Sequence, residues 1–358
     1  MGGSWVYFYC PSEEIVGSVP ERTADYWSWI NEVIPNCPAR TASGQVCDWH
    51  GPYSWTIQTW MHLREHGYAC RLVSTIPDEG IIVSHSDFWD SGFTPSAGQY
   101  LVEMKPDRVQ SLQQSHFTIV QSPCDPFYRD LGANGGNVRV VDYWPQPNIV
   151  RRDHGRGHVV RRAFFSGNHP SFSPSVKDVR AKLRKVGIDF EMRPRRLWHD
   201  YADADLAIAV RQGVPFSYKG AMDTYLSMKP ASKLINAWLA EVPAILSPEP
   251  SFLALRESEF DFLPASNLEE IVAAATRLKE DRDLYFAMIE NGRRRGVNFT
   301  AKAIAGVTSY AGRSELHAFL HRRHTDLAPR LAAVLKQMKA EGLIERFRDE
   351  ALEEAGRN

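Results

Sequence analysis

A succession of short apolar runs, each bounded by glycine, proline or a polar stretch, narrows most what this chain can fold into. In the first half they fall at 5–9 (Trp5-Val6-Tyr7-Phe8-Tyr9), 70–74, 80–84, 100–104, 117–121 and 137–141. In the second half they fall at 163–167, 189–192, 206–210 and 242–246. Each is too short for a helix and dense enough in apolar residues for a strand buried on both faces. Pieces of helix length separate them, a pattern that predicts βαβ units and parallel sheets, and therefore an α/β fold. Helices are expected at 53–66, stopped by Gly67, and at 175–186, stopped by Gly187. Further helices are expected at about 231–239, at 268–279 and over most of 281–310.

One break interrupts the pattern. Pro145 and Pro147, in Tyr143-Trp144-Pro145-Gln146-Pro147, suit neither a helix interior nor a central strand, and the polar stretch Arg151-Arg152-Asp153-His154-Gly155-Arg156-Gly157 follows. The chain of 358 residues is long for one domain, so the boundary is placed there. The expected division is 1–150 and 151–325, with a helical tail at 326–358 packing back on the domains. The stretch 145–156 is expected to act as a hinge that closes a cleft.

Composition excludes several classes. A formal net charge of −1 gives no electrostatic case for nucleic acid, and the short arginine clusters, such as Arg193 to Arg196, read as solvated faces. Cys10, Cys37, Cys47, Cys70 and Cys124 are odd in number, widely spaced and free of CxxC, which argues against a zinc cluster or a disulfide framework. With no secretory pattern at the start and no apolar run near the ~20 residues of a membrane span, a cytoplasmic protein is expected. The basic, helically periodic stretch 326–348 leaves room for a peripheral membrane contact, with packing against the domains the preferred role.

The segment that bears chemistry is Lys229-Pro230-Ala231-Ser232-Lys233-Leu234-Ile235-Asn236-Ala237-Trp238. A helix start offers free N–H groups and the positive end of the dipole, so it binds phosphate. Here Ser232 adds a hydroxyl and Lys229 and Lys233 flank it, so that a diphosphate would be neutralised without a metal. The plain alternative is a capped helix with solvated lysines. Arg211, ending the run 206–210, should point into a cleft as a further phosphate ligand. Gly167 and Asn168, after the run 163–167, would let backbone approach phosphate or sugar closely, with His169 a loop residue. Trp198 and His199 lie where a base or ribose would stack, and Glu249, after the run 242–246, could meet sugar hydroxyls.

Together these residues resemble the nucleotide-binding half of GT-B glycosyltransferases over roughly 163–310. The resemblance lies in the glycine-ended run Phe165-Ser166-Gly167, in Tyr201-Ala202-Asp203-Ala204-Asp205-Leu206 before an apolar run, and in an alanine-containing helix feeding Val242-Pro243-Ala244-Ile245-Leu246. It implies two Rossmann-like domains facing across a cleft, a nucleoside-diphosphate sugar (UDP or GDP as carrier) on the second domain, and a carbohydrate or glycoconjugate acceptor on the first. No further cofactor is expected. The chain departs from the pattern of many retaining members, which carry Glu-x7-Glu: Met228 and Asn236 stand at those places, and Glu241 replaces the glycine before the proline. Asn236 can still hydrogen-bond a ribose hydroxyl.

An inverting transfer needs a general base, and Asp48, His50 and His85 are the candidates, the first two in the loop Gly44 to Gly51 and the third in His85-Ser86-Asp87. Lys105-Pro106-Asp107-Arg108 reads as a salt-bridged turn. Asp203-Ala204-Asp205 precedes a strand and reads as structural rather than as a metal ligand, so transfer without a metal is expected, the helix dipole and lysines stabilising the departing nucleoside diphosphate. The other readings are a sugar-nucleotide epimerase or hydrolase, or a non-catalytic nucleotide-binding module. A Rossmann dehydrogenase is disfavoured, because no GxGxxG follows the first apolar run.

Overall fold

The computed structural model describes residues 6–312, apart from 42, 49, 91, 109–111, 113, 133–135, 142–143, 168–171, 173 and 212–221. The chain begins with β1 (Val6–Tyr9), α1 (Glu13–Ser18) and α2 (Tyr26–Asn36). An antiparallel ribbon of β2 (Ala39–Arg40) and β3 (Val46–Cys47) follows. Next comes one continuous helical segment, made of α3 (His50–Tyr53), a π-helical turn (Ser54–Gln58) and α4 (Thr59–Glu65). It starts at His50 rather than at the expected Tyr53, so the loop ahead of it is shorter than the sequence suggested. Strands β4 (Cys70–Val73), β5 (Gly80–His85), β6 (Gln99–Met104), β7 (Phe117–Val120) and β8 (Val138–Val140) complete the first domain.

These strands form a six-stranded sheet in the order β4-β1-β5-β6-β7-β8, with every neighbouring pair parallel. Both faces are buried, as a parallel sheet requires. Along β5 the side chains alternate: Ile82 packs with Ile15, Tyr26, Ile30 and Tyr53, while Ile81 and Val83 pack with Phe8, Trp55 and Tyr100. The pieces of helix length between β5 and β8 do not become α-helices among the described residues. They hold only a 3-10 turn (Ser86–Phe88) and a π turn (Tyr128–Gly132). They lack the apolar 3.6-residue period that gives a helix a face to bury.

The second domain runs β9 (Arg162–Ser166), α5 (Val176–Lys185), β10 (Asp189–Arg193), β11 (Leu206–Ala209), α6 (Met222–Ser227), α7 (Ser232–Leu239), β12 (Ala244–Leu246), α8 (Pro250–Leu255), β13 (Leu263–Pro264), α9 (Leu268–Glu280) and α10 (Arg282–Gly312). Its sheet is β10-β9-β11-β12-β13, again parallel throughout. Local signals set the helix ends. The Asn267 side chain accepts the Glu270 N–H at 2.9 Å and caps α9. Gly187, at φ 72°, closes α5, where the Ile188 N–H reaches Leu183 O at 3.0 Å. Helix α10 braces α7 at very short range: a Cβ added at Gly296 would stand 3.2 Å from Leu239 N, and one at Gly292 3.3 Å from Trp238 Cα. The fold is therefore α/β, with two Rossmann-like domains.

The connection between the domains is not the free hinge the sequence suggested. Asp205, fully buried, accepts from Arg152 Nη2 and Arg156 Nη2 at 3.0 Å and from the N–H groups of Arg161 and Arg162 at 2.9 Å. Glu241 takes Arg151 at 3.6 Å, His154 at 3.2 Å and Arg293 at 2.8 Å. Residues 151–157 are thus clamped to the second domain. Upstream, Trp144 Nε1 donates to Thr59 Oγ1 at 2.8 Å and Gln58 Nε2 donates to Pro145 O at 3.1 Å, tying that end to α4. Any articulation is confined to the few residues between. Glu241 also accounts for the departure from the family glycine. At φ 57° it sits just past α7 in the left-handed region that glycine usually fills. Its ion pairs with Arg151 and Arg293 offset that strain.

Asp205→Ala should destabilise the protein by about 3–5 kcal/mol in urea denaturation, because it leaves the buried Arg152 guanidinium without a counter-charge. Asp203→Ala, whose carboxylate is 34% exposed beside Arg162 and Arg193, should cost only about 1 kcal/mol. Equal losses for the two variants would contradict the clamp.

Candidate functional site

The carboxyl ends of the two sheets meet. From the first domain come the residues after β5 (Asp87), β6 (Asp107, Arg108) and β7 (Gln121); from the second come those after β9 (Gly167), β11 (Arg211) and β12 (Ser247, Glu249), with the start of α7. Direct contacts join them. Lys229 forms an ion pair with Asp107, and Gln121 Nε2 donates to Met228 O at 3.0 Å. Ligands in parallel α/β sheets bind at such strand ends.

Lys233 stands in the first turn of α7, a helix whose N-terminus no side chain caps. Its ammonium lies 5.6 Å from the centre of the Phe165 ring. Among the described residues it has no carboxylate partner in an ion pair. Burial pushes its pKa down to about 8, with Arg211 and Lys229 adding repulsion and Glu249 and Asp107 opposing it. Gly167 makes room for its stem: a Cβ there would stand 2.5 Å from Phe165 Cζ and 3.3 Å from Lys233 Cε. Ser232 is half-buried beside it at the first helical position. Gly167, Ser232, Lys233 and the uncapped helix start therefore come together, as the sequence suggested.

The other cations of the cleft have partners. Arg211, at the end of its strand as expected, is buried and pairs with Glu249 at 2.9 Å, and Ser247 Oγ donates to the second oxygen of that carboxylate at 2.9 Å. Glu249 is itself buried and precedes α8, so its carboxylate serves Arg211 and Ser247. Burial pushes the Asp107 carboxyl up, but Lys229 and Arg108 outweigh it and hold it well below the usual carboxylate range. Four cations (Arg108, Arg211, Lys229, Lys233) thus face three carboxylates (Asp87, Asp107, Glu249), and the imbalance favours an anion.

Other expected residues are placed differently. Asn236 Oδ1 accepts the Gln146 N–H at 3.0 Å, so it holds the interdomain connection. His199 packs at the start of the second domain, where its carbonyl accepts the Val150 N–H at 2.9 Å and burial lowers its pKa. Trp198 stacks on Trp27 of the first domain, ring centres 6.0 Å apart. Asn168 and His169 lie outside the described residues, as does the tail 326–358. Of the base candidates, Asp48 is exposed. Both His50 nitrogens are buried without a hydrogen-bond partner among the described residues, and burial, with Arg195 near, pushes its pKa down to about 3. His85 Nδ1 accepts the Asp87 N–H at 2.9 Å, which puts the ring hydrogen on Nε2 in the neutral imidazole. Burial lowers its pKa to about 4 against the pull of Asp87, so it is a weak base whose Nδ1 lone pair is already engaged.

The residues that sequence reasoning passed over are Asp107, Arg108, Asp87 and Gln121. The expected salt-bridged turn does form, with Arg108 Nη1 3.5 Å from the Asp107 carboxylate, and its side chains also reach outward: Lys105 to Asp125 at 3.2 Å, Arg108 to Asp87, and Asp107 to Lys229. The only signal was their place after a strand. Among the described residues no three histidine, cysteine or acidic side chains gather as metal ligands, and no helix is long and apolar enough to cross a membrane.

No family model matches the chain, and no curated protein does. Solved structures are similar in fold. Sucrose-phosphate synthase from Thermosynechococcus elongatus aligns over 74% of this chain and 78% of that one, at 13% identity and a TM-score of 0.45. HepE from Anabaena, in complex with UDP and glucose, aligns over 86% and 100%, at 10% identity and a TM-score of 0.43. The pneumococcal O-GlcNAc transferase GtfA, in complex with UDP and GlcNAc, aligns over 66% of this chain and 57% of that one, at 10% identity and a TM-score of 0.45.

A lysine kept charged against burial destabilises the free protein. That destabilisation is present in full below pH about 8 and fades as pH rises towards the ordinary lysine value of 10.5. Lys233→Met should therefore stabilise the ligand-free protein at pH 7 by about 1–3 kcal/mol, allowing for partial solvent screening. A lower melting temperature for this variant would show that the ammonium is structural.

Proposed function

We propose that this chain is a glycosyltransferase that moves a sugar from a nucleoside-diphosphate sugar to a hydroxyl of a carbohydrate or glycoconjugate, without a metal. The observation that carries the reading is Lys233: a cation with no carboxylate partner among the described residues, at an uncapped helix start, where two parallel sheets present their carboxyl ends. An ordinary surface lysine is solvated, and a structural buried one is paired. A diphosphate at this point receives the α7 N–H groups, the helix dipole and the Lys233 ammonium. The same groups stabilise the nucleoside diphosphate as it leaves, where charge develops in the transition state. UDP or GDP is the carrier favoured.

The acceptor side is the first domain. Cys47 Sγ donates to Asp87 O at 3.3 Å, which sets the loop bearing Asp48 beside the strand ends of that domain. For an inverting transfer Asp48 is the preferred base, since it is exposed, while both histidines are buried and made weakly basic by that burial. The interior of a cell, where nucleotide sugars are made, is the setting this chemistry suits.

A thermal-shift panel of UDP-, GDP-, ADP- and CMP-sugars tests the reading. One carrier should raise the melting temperature, with stabilisation of about 2.7 kcal/mol at a hundredfold excess over Kd. The affinity should hold from pH 6 to 7.5, then fall by up to about tenfold per pH unit above 8, as free Lys233 loses its proton. No stabilisation by any nucleoside diphosphate, or a flat profile to pH 9.5, would count against the site.

A further inference from the structure

Lys229, expected to hold phosphate, is already held. Its ammonium pairs with Asp107 across the cleft and lies 4.1 Å from the centre of the Tyr225 ring. The adjoining carbonyl, Met228 O, accepts from Gln121 Nε2, so the turn that carries Lys229 is fixed from the first domain at two points. Lys233, four residues on in the first turn of α7, has no such carboxylate partner among the described residues. The two lysines therefore differ in what a ligand must do to reach them. An anion at the helix start meets Lys233 directly, but it meets Lys229 only by replacing Asp107.

We propose that Asp107 is a specificity-determining residue of this cleft: an internal competitor for Lys229 that a ligand's second phosphate must displace. The inference rests on the diphosphate reading of the α7 start and adds a selection rule to it. A single phosphate fits against Lys233 and leaves the Asp107–Lys229 pair intact. A diphosphate extends to Lys229 and exchanges one counter-charge for another. Asp107 is not stranded by the exchange, because Arg108 Nη1 lies 3.5 Å from its carboxylate. Glu249 is not a second competitor of this kind. It belongs to the same domain as its partner Arg211, is buried, and has both oxygens engaged.

The arithmetic is that of a binding group available only part of the time. If Asp107 occupies Lys229 nine-tenths of the time, apparent affinity for a ligand that needs Lys229 drops about tenfold. The pair also joins the two domains, so the exchange loosens one of the contacts holding the cleft.

The test is a double-mutant cycle read by calorimetry on the full chain, with UDP, GDP and inorganic pyrophosphate as diphosphate probes and UMP, GMP and orthophosphate as single-phosphate probes. Asp107→Asn should tighten the diphosphate probes by about tenfold and leave the single-phosphate probes unchanged. In a Lys229→Met background the same substitution should change neither set. Asp107→Ser repeats the measurement with a smaller side chain, in case the amide itself disturbs the fold. Unchanged or weaker diphosphate binding in the folded Asp107 variants overturns the proposal, as does an equal gain for single phosphates or a gain that survives Lys229→Met. If wild type binds diphosphates and Asp107→Asn shows no gain, only the competitor role fails. If no probe binds wild type or any variant, the donor site fails with it.

Discussion

Asp205, a carboxylate with no access to water, fixes where the second domain begins and so how the two sheets face each other. Its oxygens take two guanidinium groups from the interdomain connection and two backbone N–H groups from the edge of β9. A buried charge of this kind adds little net stability over an apolar replacement, but breaking it on one side is costly. Its effect here is geometric. It sets the path of residues 151–157 along the second domain, and the Trp144 and Gln58 hydrogen bonds carry that path onto the first. The strand ends of the two sheets are left opposed, close enough for Asp107 to reach Lys229.

The cleft that results is built from charge held against burial. Parallel sheets place the ends of several strands at one edge, and each loop there adds a polar side chain. Most find partners: Arg211 with Glu249, Lys229 with Asp107, Arg108 with Asp87. Among the described residues Lys233 is left over. Burial, with repulsion from Arg211 and Lys229 added, depresses its pKa, and an anionic ligand would relieve both. Stability and function pull in opposite directions at this residue, a common pattern at binding sites. Brace helix α10 holds α7 through backbone-close contacts at Gly292 and Gly296, so the charge sits on a rigid element rather than on a loop.

Much of this could be read from the sequence, because the determinants are local. Strands appear as apolar runs, and glycines at 67 and 187 mark helix ends through their positive φ. Gly167, Ser232 and Lys233 are legible as a set for the same reason: a strand end and a helix start announce themselves in a few residues. What failed to show was long-range. Asp107 lies 122 residues from Lys229, and nothing in either neighbourhood signals the pair. The stretch 151–157 has the polar composition of a flexible linker, yet Asp205 and Glu241, far along the chain, immobilise it. Asn236 looked like a ribose ligand from its alignment with a family glutamate, whereas its oxygen accepts from Gln146 in the connection. The segments between β5 and β8 have helix length without helical periodicity, and length alone misled.

The central claim is the location of an anion at the start of α7. A crystal structure of the full chain soaked with UDP or GDP tests it most directly. The account predicts the diphosphate at the N–H groups of Ser232 and Lys233, within hydrogen-bonding distance of the Lys233 ammonium, with Asp107 drawn away from Lys229 towards Arg108. A nucleotide bound elsewhere, or one in the cleft whose phosphates leave Lys233 without a contact, would contradict it.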